Sequence, residues 1–121
     1  MDESTILPEE LKSLLDKGVN PVLLDVRQPE EVQAASIAGA RCIPMNEVPF
    51  RLDELDAGKE YVVFCHHGMR SQQVAQLLRM RGYKKVKNMT GGIDAWSMTV
   101  DPKTPRYEYD GRRIRVLPAS S

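Results

Sequence analysis

The chain has 121 residues, 41% of them hydrophobic and 28% charged, which fits one domain of ordinary globular composition able to bury roughly two-thirds of the surface its unfolded chain exposes. No apolar run approaches the ~18 residues that span a bilayer, and the acidic opening MDESTILPEE has no signal-peptide core, so a cytoplasmic chain without membrane contact is expected. Neutral net charge conceals an asymmetry: residues 1–60 carry 6 Lys/Arg and 13 Asp/Glu, residues 61–121 carry 11 and 4, so the halves either interleave and cancel or leave a basic rim that attracts anions.

Pro8 stands at the first position of a helix, Glu9 and Glu10 suit its positive end, and Leu11, Leu14 and Leu15 mark one face before Gly18 stops it. PVLLDV (21–26) reads as a short buried strand and PEEVQAA (29–35) as a short helix opened again by proline and two acids. ARCIP (40–44) holds a brief strand, and PFRLDEL (49–55) is weakly helical, with Phe50, Leu52 and Leu55 expected inside. YVVFC (61–65), β-branched and aromatic, is the clearest strand of the chain. SQQVAQLLRMRG (71–82) places Val74, Leu77 and Leu78 at helical spacing with Gly82 as its stop; KVKNM (85–89) is a strand, TGG a turn, and IDAWSM (93–98) a last short helix with Trp96 as a core anchor. Strands alternating with helices through short loops predict an α/β fold, a parallel sheet covered by helices on both faces, over residues 1–100. Residues 101–121 break this pattern and form an extended or hairpin-like C-terminal extension, with Asp110–Gly111 as a two-residue turn between YEY and RRIRV.

In a parallel α/β sheet ligands bind beyond the carboxyl ends of the strands. Cys65 ends the clearest strand, and His66, His67, Gly68, Met69, Arg70 and Ser71 lead into the helix that follows. Backbone N–H groups entering a helix favour a thiolate or a bound anion, Gly68 lets the chain curl, and Arg70 adds a fixed charge with a planar donor fork. Near neutrality an ordinary cysteine is only about 3% thiolate, and such surroundings raise that fraction. Transfer of a sulfur atom asks little more, because a leaving group such as sulfite is already a stable anion. A phosphate-ester hydrolase would need an acid for its alkoxide, and the loop offers no Asp or Glu. His66 and His67 either carry protons or supply rim polarity. The reading requires amides of the 65–70 loop that converge on a thiol within reach of solvent. Cys42, beside Ile43, is expected to be a buried spectator. Two cysteines and two adjacent histidines give no metal-ligand spacing, and no long basic run with interleaved aromatics calls for nucleic acid.

CHHGMRS resembles the C-x-x-G-x-R-S active-site loop of single-domain rhodanese-type sulfurtransferases. LLDVRQPEEV is similar to that family's D-V-R-x-x-x-E segment, IAGARCIP to its I-x-G-A-x-x-I-P, and MTGGIDAW to its G-G-x-x-x-W, all in order along residues 7–96. The resemblance implies a rhodanese-like three-layer fold, with a parallel sheet of about five strands flanked by helices, and a loop from Cys65 to Arg70 that encircles a persulfide. Sulfur would come from a small anionic donor such as thiosulfate and leave to a nucleophilic acceptor, a thiol or a sulfur-carrier protein, with no cofactor beyond that persulfide. Four residues between Cys65 and Arg70, one fewer than in phosphatases and arsenate reductases of this fold, suit the smaller substrate. The alternatives are a docking module that carries the persulfide without turnover and, disfavoured by the loop length, a phosphatase or arsenate reductase of the same fold. Asp25 and Arg27 are read as supports of the site, and Arg27 and Glu31 as an i, i+4 ion pair. Ala35-Ser36-Ile37-Ala38-Gly39-Ala40 lacks the structural histidine of many members, and His66, His67 and Met69 replace the charged loop residues of thiosulfate-specialised ones. GGIDAWSMTVDPKTPRY is similar to the C-terminal end of the rhodanese domain in sulfur-carrier adenylyltransferases, whereas EYDGRRIRVLPASS, expected to pack along the domain edge, resembles nothing in that family.

Overall fold

A computed structural model describes residues 4–118; residues 1–3 and 119–121, the outer ends of the opening segment and of the C-terminal extension, lie outside the described residues. Five parallel strands make the main sheet: β1 (Thr5–Ile6), β2 (Val22–Asp25), β3 (Arg41–Cys42), β4 (Glu60–Phe64) and β5 (Lys85–Met89), in the spatial order β1-β5-β4-β2-β3. Helices α1 (Pro8–Asp16), α2 (Pro29–Ala34), α3 (Met69–Met80) and α4 (Gly92–Thr99) connect or follow them, and two 3-10 segments, Met45–Phe50 and Leu52–Glu54, lie between β3 and β4. Among the described residues no helix is long and apolar enough to cross a membrane.

The central strand explains the layering. Side chains alternate across a strand, so Tyr61, Val63 and Cys65 join Val74, Ala75 and Leu78 of α3 in one apolar cluster. Val62 and Phe64 face the other way and pack with Leu11 of α1 and Ile93 and Trp96 of α4. Each fully buried Leu, Ile or Phe in these clusters stabilises the fold by roughly 1.5–3 kcal/mol of transfer free energy. Because β4 is central, with β2 in register on one side and β5 on the other, whatever follows its carboxyl end sits mid-molecule, as the α/β pattern predicts.

Several local expectations need correction. β1 is only two residues long, too short for any alternation to mark it, and it is fixed by pairing with Asn88 and Met89 of β5. α3 begins at Met69, two residues earlier than the apolar spacing indicates. Phe50 is 85% exposed rather than internal: its segment is a 3-10 helix with three residues per turn, so Val48 takes the inward position and Phe50, two residues on, swings out. Cys42 is exposed, because β3 lies at the sheet edge and alternation turns Ile43 inward instead.

The C-terminal segment forms its own antiparallel pair, β6 (Tyr107–Tyr109) and β7 (Ile114–Val116). Tyr109 faces Ile114, so the connection holds four residues rather than two. Asp110 closes it by accepting hydrogen bonds on Oδ1 from the Arg112 and Arg113 N–H groups, both at 2.8 Å. The hairpin packs against α2 and sends Tyr107 into the core, which places it against the sheet's carboxyl end.

Candidate active site

Cys65 follows the last residue of β4, and Gly68 caps α3 in the left-handed region at φ 104°. A Cβ on Gly68 would meet Gly91 N at 3.3 Å and Met89 O at 3.6 Å, so the turn needs glycine for both conformation and space. The first N–H groups of any helix lack intrahelical partners, and glycine has no side chain to cap them. The cysteine sulfur does so here: Sγ accepts from Gly68 N–H at 3.1 Å and lies 3.4 Å from Ser71 N–H. Amides do converge on the sulfur.

The Ser71 hydroxyl lies 3.3 Å from Sγ and 2.5 Å from Asn88 Oδ1. It has one proton, and the shorter contact takes it, leaving Ser71 Oγ free to accept from a protonated thiol. When the sulfur is an anion, rotation of the hydroxyl would add a third donor. Asn88 also donates from Nδ2 to Gly68 O at 3.1 Å, which ties the loop to β5.

A second helix closes the loop from its other side. Ile93 and Asp94 at the start of α4 donate to Cys65 O at 2.9 Å and His66 O at 3.2 Å. This approach depends on Gly92, where a Cβ would fall 2.4 Å from Cys65 O. The Gly-Gly turn is therefore part of the site as well as a helix start.

Arg70 does not offer an open donor fork. It is engaged by Glu31 in two parallel bonds, Nη1 to Oε2 at 2.7 Å and Nη2 to Oε1 at 2.8 Å, although it remains close enough to Cys65 to sense its charge. Glu31 is wholly buried. Burial works against its carboxylate, but donors from Arg70, Gln28 N–H and Tyr107 prevail and hold its pKa below the ordinary value. The expected Arg27–Glu31 ion pair is thus replaced: Arg27 reaches only the Glu31 carbonyl oxygen, at 3.1 Å.

Arg27 and Asp25 support the site from inside the fold. Nε and Nη2 of Arg27 bind the two Asp25 oxygens at 2.9 and 2.6 Å, and the remaining donors reach Glu31 O, Ala35 O and the Tyr107 hydroxyl. All five guanidinium donors are used. Tyr107, 3% exposed, also donates to Glu31 Oε1 at 2.9 Å. Burial pushes its hydroxyl pKa well up, so it stays protonated and remains a donor.

The two histidines differ. His66 is 93% buried by its 7% exposure, stacks on Tyr107 at 4.0 Å and 7°, and leaves Nε2 without a partner among the described residues. Desolvation, then the neighbouring His67, lowers its pKa, so the neutral ring is favoured. His67 is exposed and sits 4.0 Å from Asp94 Oδ2, a carboxylate remote in sequence that also holds Arg106. Met69 is 76% exposed on the rim. An open cleft of about 520 Å³ between loop and hairpin is lined by His66, His67, Asp94, Arg106 and Tyr107 among others. A larger one, about 640 Å³, opens among Glu60, Lys85 and Lys87, at the amino ends of the strands and away from Cys65.

Solvent does not meet the thiol freely: Cys65 is 1% exposed, against the sequence expectation. The loop folds over its own cysteine, and Sγ belongs to the packed face of β4. Sequence reasoning also missed Glu31 as the partner of Arg70, and Tyr107, Asn88 and Asp94. Only Glu31 carried a signal, as the last position of D-V-R-x-x-x-E.

The rhodanese-like domain family model matches residues 7–99. A maize protein named "Adenylyltransferase and sulfurtransferase MOCS3-2" is 37% identical over 88% of this chain and 23% of its own length. A protein of Allochromatium vinosum named "Sulfurtransferase" is 35% identical over 74% of this chain and 83% of its own. The human single-domain sulfurtransferase TSTD1 superposes with a TM-score of 0.70 at 32% identity, over 81% of this chain and 98% of that one. The chain spans only 23% to 36% of the length of the plant relatives. From the matched loop, the sheet and these likenesses, the chain belongs to the rhodanese-like domain family.

Proposed function

We propose that the protein is a sulfurtransferase in which Cys65 takes sulfane sulfur from a donor such as thiosulfate, holds it as a persulfide, and yields it to a nucleophilic acceptor. The observation that carries this reading is the convergence of the Gly68 and Ser71 N–H groups on Sγ, with the Ser71 hydroxyl 3.3 Å away and able to turn toward it, a setting suited to a sulfur anion. With Cys65 1% exposed, the loop must move to admit the donor. The thiolate then attacks the outer sulfur of thiosulfate, the S–S bond breaks, and sulfite leaves with the bonding pair. The new Sγ–S bond then breaks when the acceptor attacks the outer sulfur, and the thiolate returns. The reaction needs no cofactor. His66, His67, Gly68, Met69, Arg70 and Ser71 form the cradle, and Asp25 and Arg27 brace it from beneath.

Likeness to a maize protein named as both adenylyltransferase and sulfurtransferase, and to a Bacillus subtilis protein whose name includes sulfur carrier, favours a sulfur-carrier protein as acceptor. The 1% exposure of Cys65 favours one further reading, a carrier that holds sulfur without rapid turnover. Steady-state transfer from thiosulfate to cyanide separates them. The enzyme reading expects turnover that Cys65→Ser abolishes and Arg70→Ala reduces by about tenfold or more, the loss of a charge-assisted pair. Equal rates in wild type and Cys65→Ser refute it.

A further inference from the structure

One tail side chain grips both ends of the active-site loop. The Tyr107 ring lies flat against His66, the residue after Cys65, while its hydroxyl donates to Glu31, which holds Arg70, the residue before Ser71. The hydroxyl is itself oriented by Arg27 Nη1 at 3.1 Å. We propose that Tyr107, supplied by the C-terminal hairpin, is a positioning residue for sulfur transfer, fixing His66 by stacking and Arg70 through Glu31 so that the loop amides stay aimed at Sγ. This rests on the sulfurtransferase reading and assigns to the hairpin a working part in it.

The geometry gives the tyrosine two separable tasks. Its ring fills the space beside His66 and buries apolar surface with Ile93 and Trp96 in one cluster. Its hydroxyl supplies one of four donors to the Glu31 carboxylate, the others being the two from Arg70 and the Gln28 N–H at 2.9 Å. Phenylalanine at 107 keeps the first task and removes the second; leucine removes both. A charged carboxylate that loses a donor is less well held, and its grip on Arg70 loosens. Around Glu31 stand Arg70 from α3, Arg27 from the β2–α2 connection, His66 from the loop, and Tyr107 and Tyr109 from the hairpin. Removing the Tyr107 donor from this group raises the pH at which the carboxylate takes up a proton.

The test is thiosulfate-to-cyanide kinetics across pH, with melting curves to confirm folding. Tyr107→Phe is expected to lower kcat roughly five- to tenfold, the effect of one charge-assisted hydrogen bond felt partly in the transition state. Its KM for thiosulfate should change less than kcat does, because Arg70 keeps two bonds to Glu31 and its charge stays in the cradle, and the acid limb of kcat should move to higher pH. Tyr107→Leu should lose more in kcat than Tyr107→Phe. A merely structural tyrosine would lower the melting temperature and leave kcat and the acid limb of the folded protein unchanged; that result in Tyr107→Phe overturns the inference while wild-type turnover leaves sulfur transfer standing. Wild-type protein that neither takes up nor transfers sulfur overturns the reading beneath it, and this inference with it.

Discussion

Gly92→Ala probes the contact between α4 and the loop more sharply than any change to a reactive side chain. At φ 62° the added Cβ would lie 2.4 Å from Cys65 O and 2.5 Å from His66 O, both backbone atoms that cannot rotate away. Alanine in the left-handed region costs about 1–2 kcal/mol by itself. Relief of the overlap must then stretch the Ile93 and Asp94 N–H bonds to those same carbonyls, each worth roughly 0.5–1.5 kcal/mol. The sum is about 2–5 kcal/mol, which in a domain of this size lowers the melting temperature by on the order of 8–20 °C. Gly39→Ala is the control, since Gly39 has a similar φ of 82° with nothing within 4 Å of the added Cβ, and it pays the conformational cost alone. Differential scanning calorimetry of both variants, with transfer assayed below their transitions, measures the difference. If Gly92→Ala melts no lower than Gly39→Ala and keeps wild-type transfer, the helix does not brace the loop as described.

Three other consequences follow from the buried titratable groups. Glu31→Gln leaves Arg70 without its anionic partner, and transfer should fall about tenfold with loss of the acid limb set by Glu31, read from a pH series. Asp25→Ala strands the buried Arg27 guanidinium and should cost about 3–5 kcal/mol in urea unfolding; a change below about 1 kcal/mol would contradict the pair's supporting role. Folding lowers the pKa of His66 from its ordinary 6.5, so the unfolded chain binds more protons and stability falls as pH drops through and below about 6.5. His66→Phe, which keeps the stack on Tyr107, should flatten that slope; an unchanged slope would exclude His66 as its source.

The parts of the site that were legible in the sequence are those made by neighbours along the chain. A β-branched run, a glycine and a helical apolar period place Cys65 at the centre of a parallel sheet, and the loop amides follow from the helix entry. Contacts across the chain carry no such mark. Arg27 at i, i+4 from Glu31 satisfies the spacing rule, yet Glu31 pairs with Arg70, 39 residues away, because the strand order brings α2 beside the loop. Tyr107 acts on Glu31 from 76 residues away, through a hairpin whose short strands look marginal alone. Phe50 and Cys42 were misplaced for a different reason: a two-residue strand and a 3-10 turn are too short for periodicity to say which side faces in. Exposure of Cys65 was misjudged because the donors that converge on a sulfur also cover it.

Whether sulfur is carried on Cys65 is settled most directly by the intact mass of the protein after brief treatment with thiosulfate. Wild type and Cys42→Ser should each gain one sulfur, roughly 32 Da, that a thiol reductant removes, and Cys65→Ser should gain none. An unmodified wild type, or an adduct that persists in Cys65→Ser and disappears in Cys42→Ser, would contradict the account.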